Sequence, residues 1–296
     1  MLLSTWNGER YLGELLESVY AQRGVHVRLW ARDDGSADGT REILRREAAA
    51  GRLDWYAGDN LGPAGSFLEL MRTAPHSRWY AFCDQDDVWL PDKLERALGF
   101  LRGTDGDRPA LYCGAPILTD ASLRPLPDVP RAREQITTFG AALIAGNASG
   151  CTMVFNRRLL ALVSASTPAY VTMHDDWVHK VCLLFGGEFF FDENVPLLYR
   201  QHGGNCVGTP SSDLEKLRRH LTSLRSRDCT RSRTAASLYE CYADAMTPEQ
   251  RSMTERAMRC RDSLTAMLRL ACDRRIRTPY LQRNILFLTA VLLKAY

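Results

Sequence analysis

Asp84-Gln85-Asp86-Asp87 places three carboxylates within four residues. Such a group repels itself and costs stability unless a cation neutralises it. Hard oxygen ligands suit Mg2+ or Mn2+, which keep open positions for substrate phosphates. The plainer alternative is a solvated acidic turn capping the helix that starts at Pro91. The apolar stretch from Trp79 to Cys83 favours the metal reading, because it reads as a buried strand and sets the cluster at its end.

A second acidic group, Asp33-Asp34-Gly35-Ser36 with Asp38-Gly39-Thr40, ends an earlier strand. Ser36 or Asp38 can cap the next helix, but capping leaves Asp33 and Asp34 unexplained. An acid at such an edge can accept hydrogen bonds from a base N–H or a ribose hydroxyl. Further on, His174-Asp175-Asp176-Trp177 opens a helix. A carboxylate there is held ionised, which suits either a general base or a structural cap. His202 lies in the turn Tyr199-Arg200-Gln201-His202-Gly203-Gly204-Asn205, as a loop residue or a ligand.

The elements that must position these groups alternate. Met1 to Thr5 reads as a strand, and Asn7-Gly8 turns it into a helix carrying Leu12, Leu15, Leu16, Val19 and Tyr20 at helical spacing. Val25, Val27, Leu29 and Ala31 alternate as a second strand, followed by a helix through Ile43 and Leu44. Leu53, Trp55 and Ala57 form a third strand, and Phe67, Leu68 and Met71 mark a helix. Leu111 to Thr119 reads as one strand, Trp177 to Leu184 as a helix, and Phe189 to Phe191 and Val195 to Tyr199 as strands. Repeated strand–helix units predict an α/β, mostly parallel sheet with helices on both faces, and ligands at the C-terminal strand ends. Both early acidic groups fall at such ends.

From about Ser211 the pattern is helical and rich in Arg and Leu, so we place a boundary at 210/211. From Asp213 onward 17 Lys/Arg face 9 Asp/Glu, a balance of +8; the remainder carries 21 against 26, or −5. An acidic front part argues against nucleic-acid binding. The nine cysteines include no C-x-x-C pair, which argues against a zinc knuckle or redox pair and fits a reducing compartment. The start shows no signal-peptide pattern, and no window reaches the ~18 apolar residues of a spanning helix. The expected location is cytoplasmic, with the C-terminal helices either on the inner face of the membrane, against the catalytic domain, or against a second subunit.

Together, Ser4-Thr5-Trp6-Asn7-Gly8-Glu9-Arg10-Tyr11-Leu12, Asp33 to Thr40, Asn60-Leu61-Gly62 and Phe82 to Lys93 resemble family 2 glycosyltransferases of the GT-A fold, over roughly residues 1–208. The wording, with Gly150-Cys151-Thr152-Met153 and the Tyr-Arg-x-His-Gly turn, is most similar to bacterial rhamnosyltransferase-like polysaccharide enzymes. The resemblance implies a GT-A catalytic domain over 1–210 and a helical, basic region over 211–296. It implies that Thr5, Asp33 and Asp34 contact base and ribose, that Asp84 sits nearer the ribose, and that Asp86 and His202 hold Mn2+ or Mg2+. Asp175, or alternatively Asp176, would be the general base, and Asp87 would cap the following helix. The implied reaction moves a hexosyl unit with inversion from a nucleoside diphosphate sugar to a saccharide or lipid-linked saccharide. The donor would be dTDP-rhamnose, or else UDP-glucose or UDP-galactose. A nucleotidyltransferase would want a Gly-rich, basic phosphate loop where Asn7-Gly8-Glu9 stands, and a non-catalytic sugar-nucleotide-binding module would not need Asp175 and His202.

Overall fold

The computed structural model describes residues 1–126, 135–146, 148–203 and 229–296. The chain divides into two compact units. One comprises Met1–Arg133, Ala148–Ala165 and Met173–Gly208; the other comprises Glu134–Asn147, Ser166–Thr172 and Thr209–Tyr296.

The first unit opens with β1 (Leu2–Thr5), α1 (Glu9–Tyr20), β2 (Trp30–Asp33), α2 (Thr40–Ala49), β3 (Asp54–Ala57), α3 (Gly62–Thr73) and β4 (Trp79–Asp84). Short β5 (Val88–Trp89), α4 (Lys93–Leu101), β6 (Ala110–Gly114) and β7 (Ile117–Thr119) follow. A 3-10 turn (Gly150–Thr152) leads to β8 (Val154–Asn156) and α6 (Arg157–Ser164), and then α7 (His174–Leu184), β9 (Glu188–Asp192) and β10 (Leu197–Arg200) complete it. The short helix α5 (Phe139–Ala142) belongs to the second unit.

The seven-stranded sheet has the order β3-β2-β1-β4-β8-β6-β9. The first four strands run parallel, β8 is antiparallel to both neighbours, and β6 pairs parallel with β9. A second sheet has the order β5-β10-β7. Helix α1 buries Leu12, Leu15, Leu16 and Val19, the stripe its spacing predicts, in a core shared with Leu3, Ala31, Leu44 and Cys83.

Several expected boundaries shift. The alternation from Val25 persists as half-buried Val25 and Val27 and buried Leu29, but the ladder starts only at Trp30, opposite Leu2. Leu111 to Thr119 divides into β6 and β7, which lie in different sheets. The loop around Arg124 to Arg133, Gly204 and Asn205, and the boundary near residue 210 fall wholly or partly outside the described residues.

The described part of the second unit is helical: α5, α8 (Thr230–Tyr242), α9 (Pro248–Met258), α10 (Leu264–Cys272) and α11 (Leu281–Leu292). Thr247 and Gln250 form a reciprocal capping box on α9. Buried Asp273 is gripped by Arg256 and Arg275, and buried Tyr296 donates to the Leu143 carbonyl at 3.0 Å. No described helix is long and apolar enough to cross a membrane.

Gly114 closes β6 where the chain passes the end of β9, and a Cβ there would land on the Asp192 carbonyl oxygen. Gly114→Ala is expected to lower stability by about 1–3 kcal/mol, as overpacking does, measurable as a reduced urea midpoint with unchanged slope.

Candidate functional site

The parallel order brings the ends of β1, β2 and β4 side by side: Thr5 pairs with Asp33, and Ser4 with Asp84. All three strands point their C-terminal ends the same way, so the two acidic groups share one edge, as the sequence predicts.

At the β1/β2 end, Asp33 is fully enclosed. Its Oδ1 accepts from the hydroxyls of Ser36 (2.5 Å) and Thr5 (3.2 Å), and its Oδ2 accepts from the Ser36 amide (3.0 Å) and Arg41 (2.6 Å). Burial alone would raise its pKa, but the Ser36 and Arg41 bonds outweigh it and hold the carboxyl below the usual range. Asp34 pairs with buried Arg32 and accepts the Leu61 amide at 2.9 Å. Both acids are therefore engaged by neighbouring side chains and amides, drawn from β1, β2, α2 and the turns after β2 and β3. Asp38 accepts from the Thr40 amide and hydroxyl and from the Glu9 amide, and Glu9 accepts from Gly39 in return, which ties the starts of α1 and α2 together.

The β4 end is more strongly charged. Asp84 is pushed up to about 7, first by burial and then by Asp86 and Asp175, against the pull of Lys93. Asp87 is fully buried and is held well above the carboxylate range by burial, Asp84 and Asp86. It does not cap the next helix, contrary to expectation. Its Oδ1 accepts the Arg200 amide at 3.2 Å, and its Oδ2 has no partner among the described residues. Residue 92, not 87, precedes α4, and it makes no side-chain cap. The correction has a physical cause: β5 intervenes between Asp87 and the helix and carries the side chain inward.

His202 joins this group through Nε2, 2.8 Å from Asp86 Oδ2, with its ring 4.8 Å from that of Tyr11. Candidate donor atoms of Asp84, Asp87 and Cys151 lie within 4.8 Å of one another. Carboxylate oxygens, with the imidazole nitrogen of His202 beside Asp86, are donors of a kind that suits a divalent cation, although Asp86 and His202 are not part of the Asp84, Asp87 and Cys151 cluster.

Asp175 reaches the same group through one dipeptide. Its Oδ2 accepts the Gly150 amide at 3.0 Å, and the next residue is Cys151. Its Oδ1 accepts the Asp176 amide at 2.7 Å. Burial raises Asp175 to about 6. Asp176 instead forms an ion pair with Lys180 one turn on. His174 packs between Phe67 and Phe82, and burial lowers its pKa to about 3, so it stays neutral. A Cβ at position 150 would approach His174 Nε2 to 2.7 Å, so only glycine lets the dipeptide lie this close.

Four site residues have no assigned role on sequence alone. Lys93 is fully buried, its Nζ 3.1 Å above the Trp89 ring, and burial lowers it to about 8. Its place four residues after Trp89, on the inward face of α4, is the signal for it. Arg200 is buried and donates to Glu14 (2.5 Å) and to the carbonyls of Asp86 (2.8 Å) and Ala121 (2.7 Å). Gln85 brackets the backbone of Trp6, accepting from its amide (2.8 Å) and donating to its carbonyl (2.9 Å). The Trp6 indole stands 53% exposed, a large apolar ring left in solvent at the end of β1.

The model of glycosyl transferase family 2 matches residues 2–162. The chain belongs to this family. It is thereby a glycosyltransferase, which sets the nucleotidyltransferase reading aside. The dTDP-rhamnosyl transferase RfbG of Shigella flexneri is 27% identical over 73% of this chain and 77% of its own. An uncharacterised glycosyltransferase of Rickettsia prowazekii is 23% identical over 73% and 68%. Among solved structures, S. aureus TarS 1-349 in complex with UDP-GlcNAc superposes with a TM-score of 0.57 at 15% identity, covering 98% of this chain and 78% of that one. The mannosyltransferase PcManGT of Pyrobaculum calidifontis, in complex with GDP-Man and Mn2+, gives 0.53 at 17% identity, covering 99% and 85%. The fold of this family 2 enzyme is GT-A.

Raising the Asp84 carboxyl from 3.8 to about 7 in the folded chain means that the fold binds this proton more tightly than the unfolded chain does. Stability from this group is therefore full at low pH and lost as pH rises between about 4 and 7. Without divalent metal, Asp84→Asn is expected to gain stability relative to wild type across that window. Urea denaturation at a series of pH values measures the difference, and a constant gap would contradict the assignment.

Proposed function

We propose that this chain moves a hexosyl unit, with inversion, from a nucleoside diphosphate sugar to a hydroxyl of a growing cell-surface polysaccharide or lipid-linked oligosaccharide. One observation carries the reading: the Gly150-Cys151 dipeptide holds Asp175 by its amide while its thiol stands beside Asp84 and Asp87. A proton acceptor and a charge-dense anion cluster thus share one site, as direct displacement of a diphosphate requires.

Thr5, Asp33, Asp34 and Asp84 take the nucleotide side. Oδ1 of Asp33 receives the hydroxyls of Thr5 and Ser36, which fix this carboxylate and Thr5 together at the edge given to the nucleotide. Asp34 braces the Leu61 turn behind it. Asp86 and His202 would hold the divalent cation, Mn2+ or Mg2+, with Arg200 fixing the Asp86 backbone. When bound, that ion supplies positive charge to the departing diphosphate. Asp175, raised towards neutrality by burial, takes the acceptor hydroxyl proton as the oxygen attacks the anomeric carbon from the face opposite the diphosphate. Asp176 is committed to Lys180, which supports Asp175 over it as the base. No covalent sugar–enzyme bond is needed.

The likeness to RfbG supports dTDP-rhamnose as donor, with UDP-glucose and UDP-galactose next. The eight described cysteines are all free, which supports a reducing, cytoplasmic setting.

Asp175→Asn is expected to lower transfer roughly 10²–10⁴-fold with the fold retained; full activity would remove Asp175 as the base. In the wild type, kcat/KM should fall about tenfold per pH unit below about 6, because the base must be ionised. Release of nucleoside diphosphate from the three donors, with and without Mn2+, tests donor and metal together. The expected result is manganese-stimulated release, fastest from dTDP-rhamnose, and metal-independent turnover would overturn the role given to Asp86 and His202.

A further inference from the structure

Ten large hydrophobic side chains are exposed among the described residues, and seven of them fall between 264 and 293. Helix α11 shows why this is unusual. Phe287, Ala290 and Val291 form its buried arc. Leu281, Ile285 and Leu292, spaced four and seven residues apart, form a second apolar stripe that faces outward, and Leu286 and Leu293 are exposed about 100° further round. A helix apolar on both arcs belongs in a core or against an apolar medium, not in water. Helix α10 repeats the arrangement, burying Met267 and Leu270 while exposing Leu264 and Leu268 one turn apart.

The charge of this stretch of chain is one-sided, with Asp262 its one exposed acid. Residues 259–296 carry eight Lys/Arg and two acids, Asp262 and Asp273. Asp273 is buried and spent on Arg256 and Arg275. Arg259, Arg269, Arg274 and Lys294 are exposed and enter no ion pair with described residues. Arg269 borders the Leu264/Leu268 stripe, and Lys294 directly follows Leu293.

We propose that the outward face of α10 and α11 docks on an anionic lipid bilayer. Leucine and isoleucine side chains enter the headgroup–acyl boundary, while Arg269, Arg274 and Lys294 stay at phosphate level. Charge decides between this occupant and a second copy of the chain: two copies meeting through this face would oppose like charges, whereas an anionic leaflet neutralises them. The inference deepens the acceptor half of the proposed function, since a lipid-linked acceptor is met at such a surface, but the binding itself depends on no sugar.

Flotation of the full chain with phosphatidylglycerol-containing vesicles, against phosphatidylcholine alone, is the test. Wild type is expected to float with the anionic vesicles and to be released by salt. Ile285→Ser with Leu292→Ser is expected to weaken partitioning at least tenfold, at unchanged melting temperature and unchanged nucleotide release. Arg269→Gln with Lys294→Gln is expected to remove the anionic preference. Wild type that fails to float, or a double-serine variant that floats equally well, would overturn the proposal. So would a wild-type dimer, seen by light scattering, that the double-serine change dissociates while vesicles go unbound. Binding is read without donor or acceptor, so loss of transfer with intact flotation would count against the proposed reaction alone.

Discussion

Asp84, half-buried, and Asp87, fully buried, set two carboxyls side by side at a strand end, and the cost of keeping them there organises what surrounds them. Two devices offset it. Lys93 lies buried beside the acids, seated on the Trp89 ring, and Arg200 presents its amide to Asp87 while its guanidinium fixes the Asp86 carbonyl. Neither removes the surplus, since Asp84 still stands near neutrality and Asp87 well above its usual range. These carboxyls therefore hold their protons more tightly than exposed acids do.

The contrast with the β2 end makes the division of labour plain. Asp33 and Asp34 are buried as Asp87 is, yet each is saturated by neighbours: Ser36, Thr5 and Arg41 for one, Arg32 and the Leu61 amide for the other. One edge of the sheet thus carries a stiff, neutralised acidic pair beside an under-neutralised one. The first is suited to shaping a pocket and the second to receiving charge.

What sequence reading could and could not see follows from the range of the interactions. The parallel β1–β2–β4 edge was legible because each strand and its following turn are local patterns, and the sharing of one edge follows from chain order. The placing of Asp87 was not, because its fate depends on Arg200, 113 residues away. A lysine in the first turn of a helix reads as solvated, and the burial of Lys93 depends on the Trp89 ring beneath it. Strand β8 was hidden for a different reason: three residues wedged antiparallel between β4 and β6 leave almost no periodicity to detect. The second unit likewise gathers 134–147 and 166–172 from distant parts of the chain, which no local composition change announces.

The Gln85 bracket on Trp6 carries one more consequence. The amide of Gln85 occupies the space where a side chain on Gly8 would begin, so positions 6, 8 and 85 form a single mechanical unit spanning the first strand's turn and the acidic cluster. A relative with a bulkier residue at position 8 must carry a shorter one at 85, and transplanting either turn alone into another scaffold would break the fit between them. Residues 6, 8 and 85 therefore change together or not at all in any variant that keeps this turn.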